Sequence, residues 1–383
     1  MQHRPRQFSN PVALVGGRVL TPSGSIDDAV VRLAEGRIAS IDSEVGAGGE
    51  TCDVSDCILL PGIIDLHGDA VERAIAPRPG VTIPLSVALA ENDAALLAAG
   101  ITTAFLSLTD GFEPGLRSRH QVRAVIAQLG QAQLACDTRL HLRHEVCLIA
   151  DHAELLEWLA DGTVQLLSTA DHLPDGDDAV KLERYRAAAR RRLAMTDSEL
   201  DRLIARALTQ REIGRLQERE LADAANRCGI PLASHDDASE AMVDAALARG
   251  VRISEFPLSP ALAARARAGG ASVLMGAPNY VRGGSHVAWM PVSAALQAGV
   301  VDCLCSDYHH PSLYHAPWMM AAAGDRSFAE AWALVSAAPA RTAGLGDRKG
   351  RIAPGYDADL LIVDAQGRLR SVYIAGHKVA QYH

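Results

Sequence analysis

A chain of 383 residues that is 48% hydrophobic, 22% charged and only 4% aromatic has the balance of a globular enzyme, which excludes a disordered or fibrous chain. Its length suits one α/β barrel of about 250 residues plus a small accessory unit. A formal net charge of −9 argues against a general nucleic-acid binder, whose affinity comes from neutralising phosphates with Lys and Arg.

No apolar run reaches the roughly 18 residues of a membrane span, and the basic N-terminus is followed by no apolar stretch of the secretory type. Seven cysteines without framework spacing fit a reducing compartment. The expectation is a cytoplasmic protein with no nucleic-acid and no membrane partner, free to form a homo-oligomer. Cys303 and Cys305 lie too close on one strand to pair and read as small core residues.

From Val12 to Cys57 the chain alternates short β-type runs with glycine turns: Ala13 to Leu20, Ala29 to Leu33, Gly36 to Ile41. The same texture returns in Gly350 to Ile352, Ala358 to Asp364 and Ser371 to Gly376. Neither end can bury an apolar face alone, so residues 1–57 and 349–383 are expected to form one small β-sandwich domain. Residues 58–348 between them form the second unit.

That unit opens with Ile58 to Asp69, an apolar run ending in His67 and Asp69. Side chains two apart on a strand share a face, so imidazole and carboxylate converge, and Gly68 between them permits close backbone approach. A His ending a buried strand is more often structural, so the pair gains weight only if later strands end in the same way. Further strands are expected at Thr102 to Leu108, Leu140 to Val146, Val164 to His172, Ile230 to Asp236, Val251 to Pro257, Ser272 to Asn279 and Asp302 to Asp307, most of them separated by alanine-rich helical segments such as Leu85 to Ala99. Eight strands with helical crossovers imply the α/β class and a (β/α)8 TIM-like barrel, with a doubly wound open sheet as the alternative.

One connection is too long for a simple crossover. Residues 173–227 are dominated by Arg, Ala, Leu and Glu, with Thr196 and Glu199 spaced as a capping box, and read as a helical insertion on the catalytic side. Its arginines could reach an anionic substrate, although such runs are more often solvated faces or subunit contacts.

The carboxyl ends of the expected strands collect His67, Asp69, Glu145, His172, His235 and Asp307. In a barrel all of these face one mouth. Three imidazoles and three carboxylates suit two divalent ions sharing a water, and Asp307 is the candidate to ligate one ion and accept that water's proton. The chain has no Gly-x-Ser-x-Gly elbow and no Walker-type loop, which leaves metal-assisted hydrolysis as the leading chemistry.

These residues, framed by terminal β segments, resemble the amidohydrolase superfamily. Within it, Pro77-Arg78-Pro79, Ala233 to Ala238, Glu255-Phe256-Pro257, Leu274 to Asn279, Val281 to His286 and Ser306-Asp307-Tyr308 resemble the branch of ribosyl-triphosphate diphosphatases that serves phosphonate catabolism. The resemblance implies a binuclear, zinc-dependent enzyme that cuts a phosphorylated small molecule, a ribosyl 5-triphosphate, to the 5-phosphate and pyrophosphate. It also implies substrate contacts from Arg78, Asn279 and the run Arg282, Gly283, Gly284, Ser285, His286. An oligophosphate needs several N–H and guanidinium donors, which that glycine loop and its flanks can supply; an ordinary turn is the plainer reading of the loop. Two other functions stay open: hydrolysis of a C–N bond in a cyclic amide or aminated ring, and a catalytically silent barrel serving assembly, although the six ligands are all present.

Overall fold

The computed structural model describes residues 12–21, 24–44, 49–284 and 290–383. Two eight-stranded sheets organise them. The first takes strands from both ends of the chain: β1 (Val12–Thr21), β2 (Gly24–Ala34), β3 (Arg37–Asp42), β4 (Glu50–Asp53) and β5 (Cys57–Pro61) from the front, and β14 (Leu360–Asp364), β15 (Leu369–Ile374) and β16 (His377–Gln381) from the back. The two halves join where β5 runs antiparallel to β14. This sheet curls upon itself, because a side chain on Gly376, in the last hairpin, would lie 3.6 Å from the Cα of Gly36 in the β2–β3 turn. Leu14, Val31, Ile38, Leu360 and Tyr373 share one buried core inside the curl, which is how a single sheet meets the expectation of a sandwich.

The second sheet is all parallel: β6 (Ile63–Gly68), β7 (Ile101–Asp110), β8 (Asp137–Glu145), β9 (Leu166–Ala170), β10 (Leu232–His235), β11 (Ile253–Glu255), β12 (Ser272–Gly276) and β13 (Cys303–Cys305), in sequential order. Its first and last strands meet at a bridge between Gly68 and Asp307, so the sheet closes into the expected (β/α)8 barrel. Ile64, Phe105, Leu166, Leu274, Cys303 and Cys305 pack together within the sheet, and both cysteines are free and buried, as small core residues should be.

Three local expectations are corrected. The apolar run expected to be one strand through Asp69 divides at Gly62, whose Cβ would fall 2.2 Å from Thr102 Oγ1; residues 57–61 pair in the terminal sheet and 63–68 in the barrel. The boundary between the units therefore lies at Gly62 and not before Ile58. Residues Gly350 to Ile352 form no strand, because Gly350 has φ +83° and its position leaves only 2.6 Å from a Cβ to the Ser336 carbonyl oxygen. The strands β4 and β16, polar and short, carried too little alternation to be expected.

The insertion forms two helices, Ala179–Arg192 and Asp197–Cys228, the second opened by the Thr196–Glu199 capping box. A glycine inside the second helix explains how it seats on the barrel. At Gly214 a Cβ would stand 1.8 Å from the Val146 carbonyl oxygen, so the helix presses on the backbone one residue beyond Glu145. Among the described residues no helix is long and apolar enough to cross a membrane.

Gly214→Ala tests that seat. Alanine is the better helix former by about 1 kcal/mol, whereas overpacking against fixed backbone costs about 1–3 kcal/mol. We expect a net loss measured by thermal unfolding; a stabilised variant would show that the helix does not rest on Val146.

Candidate active site

The barrel closure places the first and last strand ends side by side. Asp307 N–H donates to the His67 carbonyl at 2.8 Å, and Asp69 N–H donates to the Asp307 carbonyl at 2.9 Å. Beneath them the buried Asp65 carboxylate accepts from the Ser306 N–H at 3.0 Å and the Ser306 hydroxyl at 2.5 Å. A side chain on Gly68 would stand 2.7 Å from that carboxylate, so glycine is required between His67 and Asp69.

Three strand ends turn into left-handed backbone at the same level: Asp236 (φ 57°), Phe256 (φ 54°) and Asp307 (φ 51°). Non-glycine residues pay strain for this conformation. The strain is offset here by ladder bonds that continue past each strand, such as Asp236 N–H to the Glu255 carbonyl at 2.9 Å.

The six expected ligands lie along one arc. His67 and His235 have ring centroids 5.4 Å apart, as do His235 and His172; Glu145 Oε1 bonds His172 Nδ1; and Asp69 sits against Asp307. Asp69, Glu145 and His172 also line a cavity of about 250 Å³. Sequence reasoning missed four further members. On β8, His141, Arg143 and Glu145 alternate on the inner face, and Arg143 Nη2 reaches 3.0 Å from His235 Nε2 while its Nη1 lies 3.7 Å from Asp69 Oδ2. Glu255 accepts from His67 Nδ1 at 2.9 Å, and Asp236 lies 3.1 Å from His235 Nδ1. The period-2 alternation back from Glu145 could have found His141 and Arg143, and Glu255 ends its strand as the six do.

Burial drives His67 well below the usual imidazole range and takes His141 down to about 3, which favours the neutral imidazole that a metal ligand must be. His172 is pushed the other way by the carboxylate of Glu145. Burial, reinforced by Asp69, raises Asp307 to about 7, against the opposing pull of Arg143. Among the described residues, two groups have converging ligand atoms: His67, His141 and Glu255, and His172, His235 and Asp236. A divalent cation fits these residues on a direct test. Glu255 Oε2 and Asp236 Oδ1 are buried polar atoms with no hydrogen-bond partner, an arrangement costly to leave unsatisfied.

The expected substrate contacts are scattered. Arg78 is exposed, in a turn bridged to Val81, and is not part of the cavity wall. Asn279 has a buried side-chain oxygen without a partner. Arg282 donates to Tyr308 Oη at 3.2 Å. Gly283 and Gly284 have open space where a Cβ would stand, while Ser285 and His286 fall outside the described residues. His309 bonds Ser312 at 2.8 Å, and His310 is buried between Ser306 and Asn92, so both act locally.

Residues 58–379 match the family model described as the amidohydrolase family. The chain is 33% identical over 351 residues, covering 89% of itself and 90% of the relative, to the α-D-ribose 1-methylphosphonate 5-triphosphate diphosphatase of Escherichia coli (strain K12). Among solved structures, it resembles the β-aspartyl dipeptidase of the thermophilic keratin-degrading Fervidobacterium islandicum AW-1 (TM-score 0.65, 16% identity, 97% of each chain). A molinate hydrolase is similar in the same degree (TM-score 0.65, 14% identity, 98% of this chain and 95% of the other). At these identities the structural likenesses speak to the fold alone.

Glu255→Gln keeps the shape at β11 and removes the charge behind His67. We expect metal affinity to fall on the order of 10- to 100-fold, measured by titration of metal-stripped protein. Undiminished affinity would take Glu255 out of the centre.

Proposed function

The chain belongs to the amidohydrolase family and is a hydrolase, and from that premise we propose that it cleaves a ribosyl 5-triphosphate, of the type of α-D-ribose 1-methylphosphonate 5-triphosphate, to the 5-phosphate and pyrophosphate. One observation carries the phosphate part of this reading: arginines bracket Asp307. Arg143 lies within the site, with a buried Nε that has no partner. Arg73 donates to the Tyr308 carbonyl at 2.5 Å, and Arg282 donates to the Tyr308 hydroxyl at 3.2 Å. Arg73 and Arg282 are exposed, and each keeps guanidinium N–H groups for an oxyanion. Such a concentration in a chain of net charge −9 suits a polyanion better than a neutral ring.

Family members generally use divalent metals, and we propose two ions, zinc by preference. His67, His141, Glu255, His172, His235 and Asp236 would hold them, together with Asp69, Glu145 and Asp307. Bound there, they supply Lewis acidity that makes water a better nucleophile and neutralises charge on phosphoryl oxygens. The chain's own groups do the rest. Water adds across the anhydride between the first and second phosphoryl groups: its oxygen joins phosphorus, the bridging P–O bond breaks, and Asp307 takes the proton at its carboxylate. Arg143 offsets charge at the reacting phosphoryl group. Arg73 and Arg282 hold the departing pyrophosphate on the Tyr308 side.

Asp307→Asn should lower kcat by about 10²- to 10⁴-fold with an unchanged circular dichroism spectrum; near-normal turnover would remove Asp307 as proton acceptor. The double variant Arg73→Ala, Arg282→Ala should raise KM for the triphosphate by roughly 10-fold or more with kcat less affected, and an unaltered KM would take this pair out of phosphate binding. The overall reading is tested by product analysis of a ribosyl 5-triphosphate carrying a 1-phosphonate. Pyrophosphate in stoichiometric yield is expected, and orthophosphate alone, or no turnover, would overturn it.

A further inference from the structure

The wall of the cavity beside Glu145 and His172 is built by the insertion and by the loop after β7, and nothing in the hydrolytic chemistry uses it. Glu113 lies in that loop with its carboxylate almost wholly buried. Tyr185 Oη donates to Glu113 Oε1 at 2.7 Å, and Arg192 Nη2 donates to the same oxygen at 2.7 Å. The second oxygen, Oε2, receives only a long contact of 3.4 Å from Arg192 Nε, which leaves it acceptor capacity. Tyr185 and Arg192 stand seven residues apart on the helix Ala179–Arg192, and hence on one face. Between them Ala189, with Leu182 one turn earlier, anchors that face in a small apolar cluster with Leu173 and Cys147. All three polar residues line the cavity.

Charge decides what such a wall can bind. Carboxylate and guanidinium cancel, so the trio presents donors and acceptors without net charge, and a phosphate brought to it would meet the Glu113 carboxylate. Arg117, the next cation on this wall, is likewise held by both oxygens of Glu72, at 3.1 and 3.0 Å. The cations with spare donors are Arg143, beside Asp69 and His235, and the exposed Arg73 and Arg282, which both bond Tyr308. A neutral group with paired hydroxyls complements the trio instead, offering O–H to Glu113 Oε2 and accepting from Arg192, while Tyr185, whose one hydroxyl hydrogen goes to Glu113 Oε1, holds the carboxylate in place. We propose that Glu113, Tyr185 and Arg192 form a specificity subsite for the vicinal diol of a furanose, placing the sugar on the insertion side and the polyphosphate tail on the Tyr308 side. The assignment of the sugar as a ribosyl group rests on the diphosphatase reading; the preference for a diol over a deoxy sugar does not.

The test is a binding comparison on the metal-loaded protein by calorimetry, with D-ribose 5-phosphate and 2-deoxy-D-ribose 5-phosphate as probes. A hydroxyl bonded to a charged group contributes enough to make the deoxy sugar bind on the order of 10- to 100-fold more weakly. Glu113→Gln should bring the two affinities to within about 3-fold of each other, and Tyr185→Phe, which keeps the carboxylate but frees its orientation, should reduce the preference several-fold. A merely structural role would weaken both sugars alike and leave their ratio unchanged. Equal affinities in the wild-type protein, or a full preference surviving in Glu113→Gln, overturns the proposal; where Glu113→Gln fails to fold, a full preference in Tyr185→Phe overturns it. Pyrophosphate release from the triphosphate, assayed in parallel, separates the two readings: its absence defeats the diphosphatase assignment while the sugar ratio still decides the subsite.

Discussion

The structure depends on one closure, where the first and last strands of the barrel are stitched by the backbone of Gly68 and Asp307. A parallel sheet of eight strands leaves no edge only if its ends meet. Here the meeting is secured by the buried Asp65 carboxylate, which holds both backbone and hydroxyl of Ser306. The same few atoms orient Asp69 and Asp307, so the fold cannot close without bringing two carboxylates together. Burial, reinforced by the Asp69 carboxylate, raises the proton affinity of Asp307. The site is therefore built short of positive charge, and Arg143 is the fixed cation within it.

That shortage gives the mouth its polarity. Imidazoles made neutral by burial, a carboxylate pair at the closure and unpartnered oxygens on Glu255 and Asp236 together ask for a cation and an electron-rich ligand. The insertion supplies the contrasting wall. Because Gly214 lets its long helix rest on the backbone beside Glu145, the shorter helix is held over the cavity, where its polar residues are already paired among themselves. The Tyr308 side of the mouth carries the exposed cations Arg73 and Arg282, the insertion side has its charges paired, and an elongated ligand with a charged and an uncharged end matches that difference.

Much of this was legible in the amino-acid sequence, and the failures are instructive. All eight barrel strands stand on the apolar runs expected to form them, because strand patterning is a local property of the chain. Cys303 and Cys305 were readable as core for the same reason. The break at Gly62 was not, since the run from Ile58 to Ile64 carries no charged residue on either side of it; what divides it is the Thr102 side chain in the adjoining strand. Arg192 was one arginine among many in the insertion, and only packing shows that it faces Glu113 while Arg186 and Arg190 pair with surface acids.

By itself, then, the sequence determined the (β/α)8 barrel, the terminal β unit and the arc from His67 to Asp307, because each follows from periodicity and from side chains at strand ends. Only the tertiary structure decided that Glu255 backs His67 across 188 residues of chain, that Arg143 sits beside His235 and Asp69, and that Glu113 meets Tyr185 and Arg192. Those pairings depend on register between distant strands and on how a helix lies over a barrel, and neither quantity is written in any local pattern of residues.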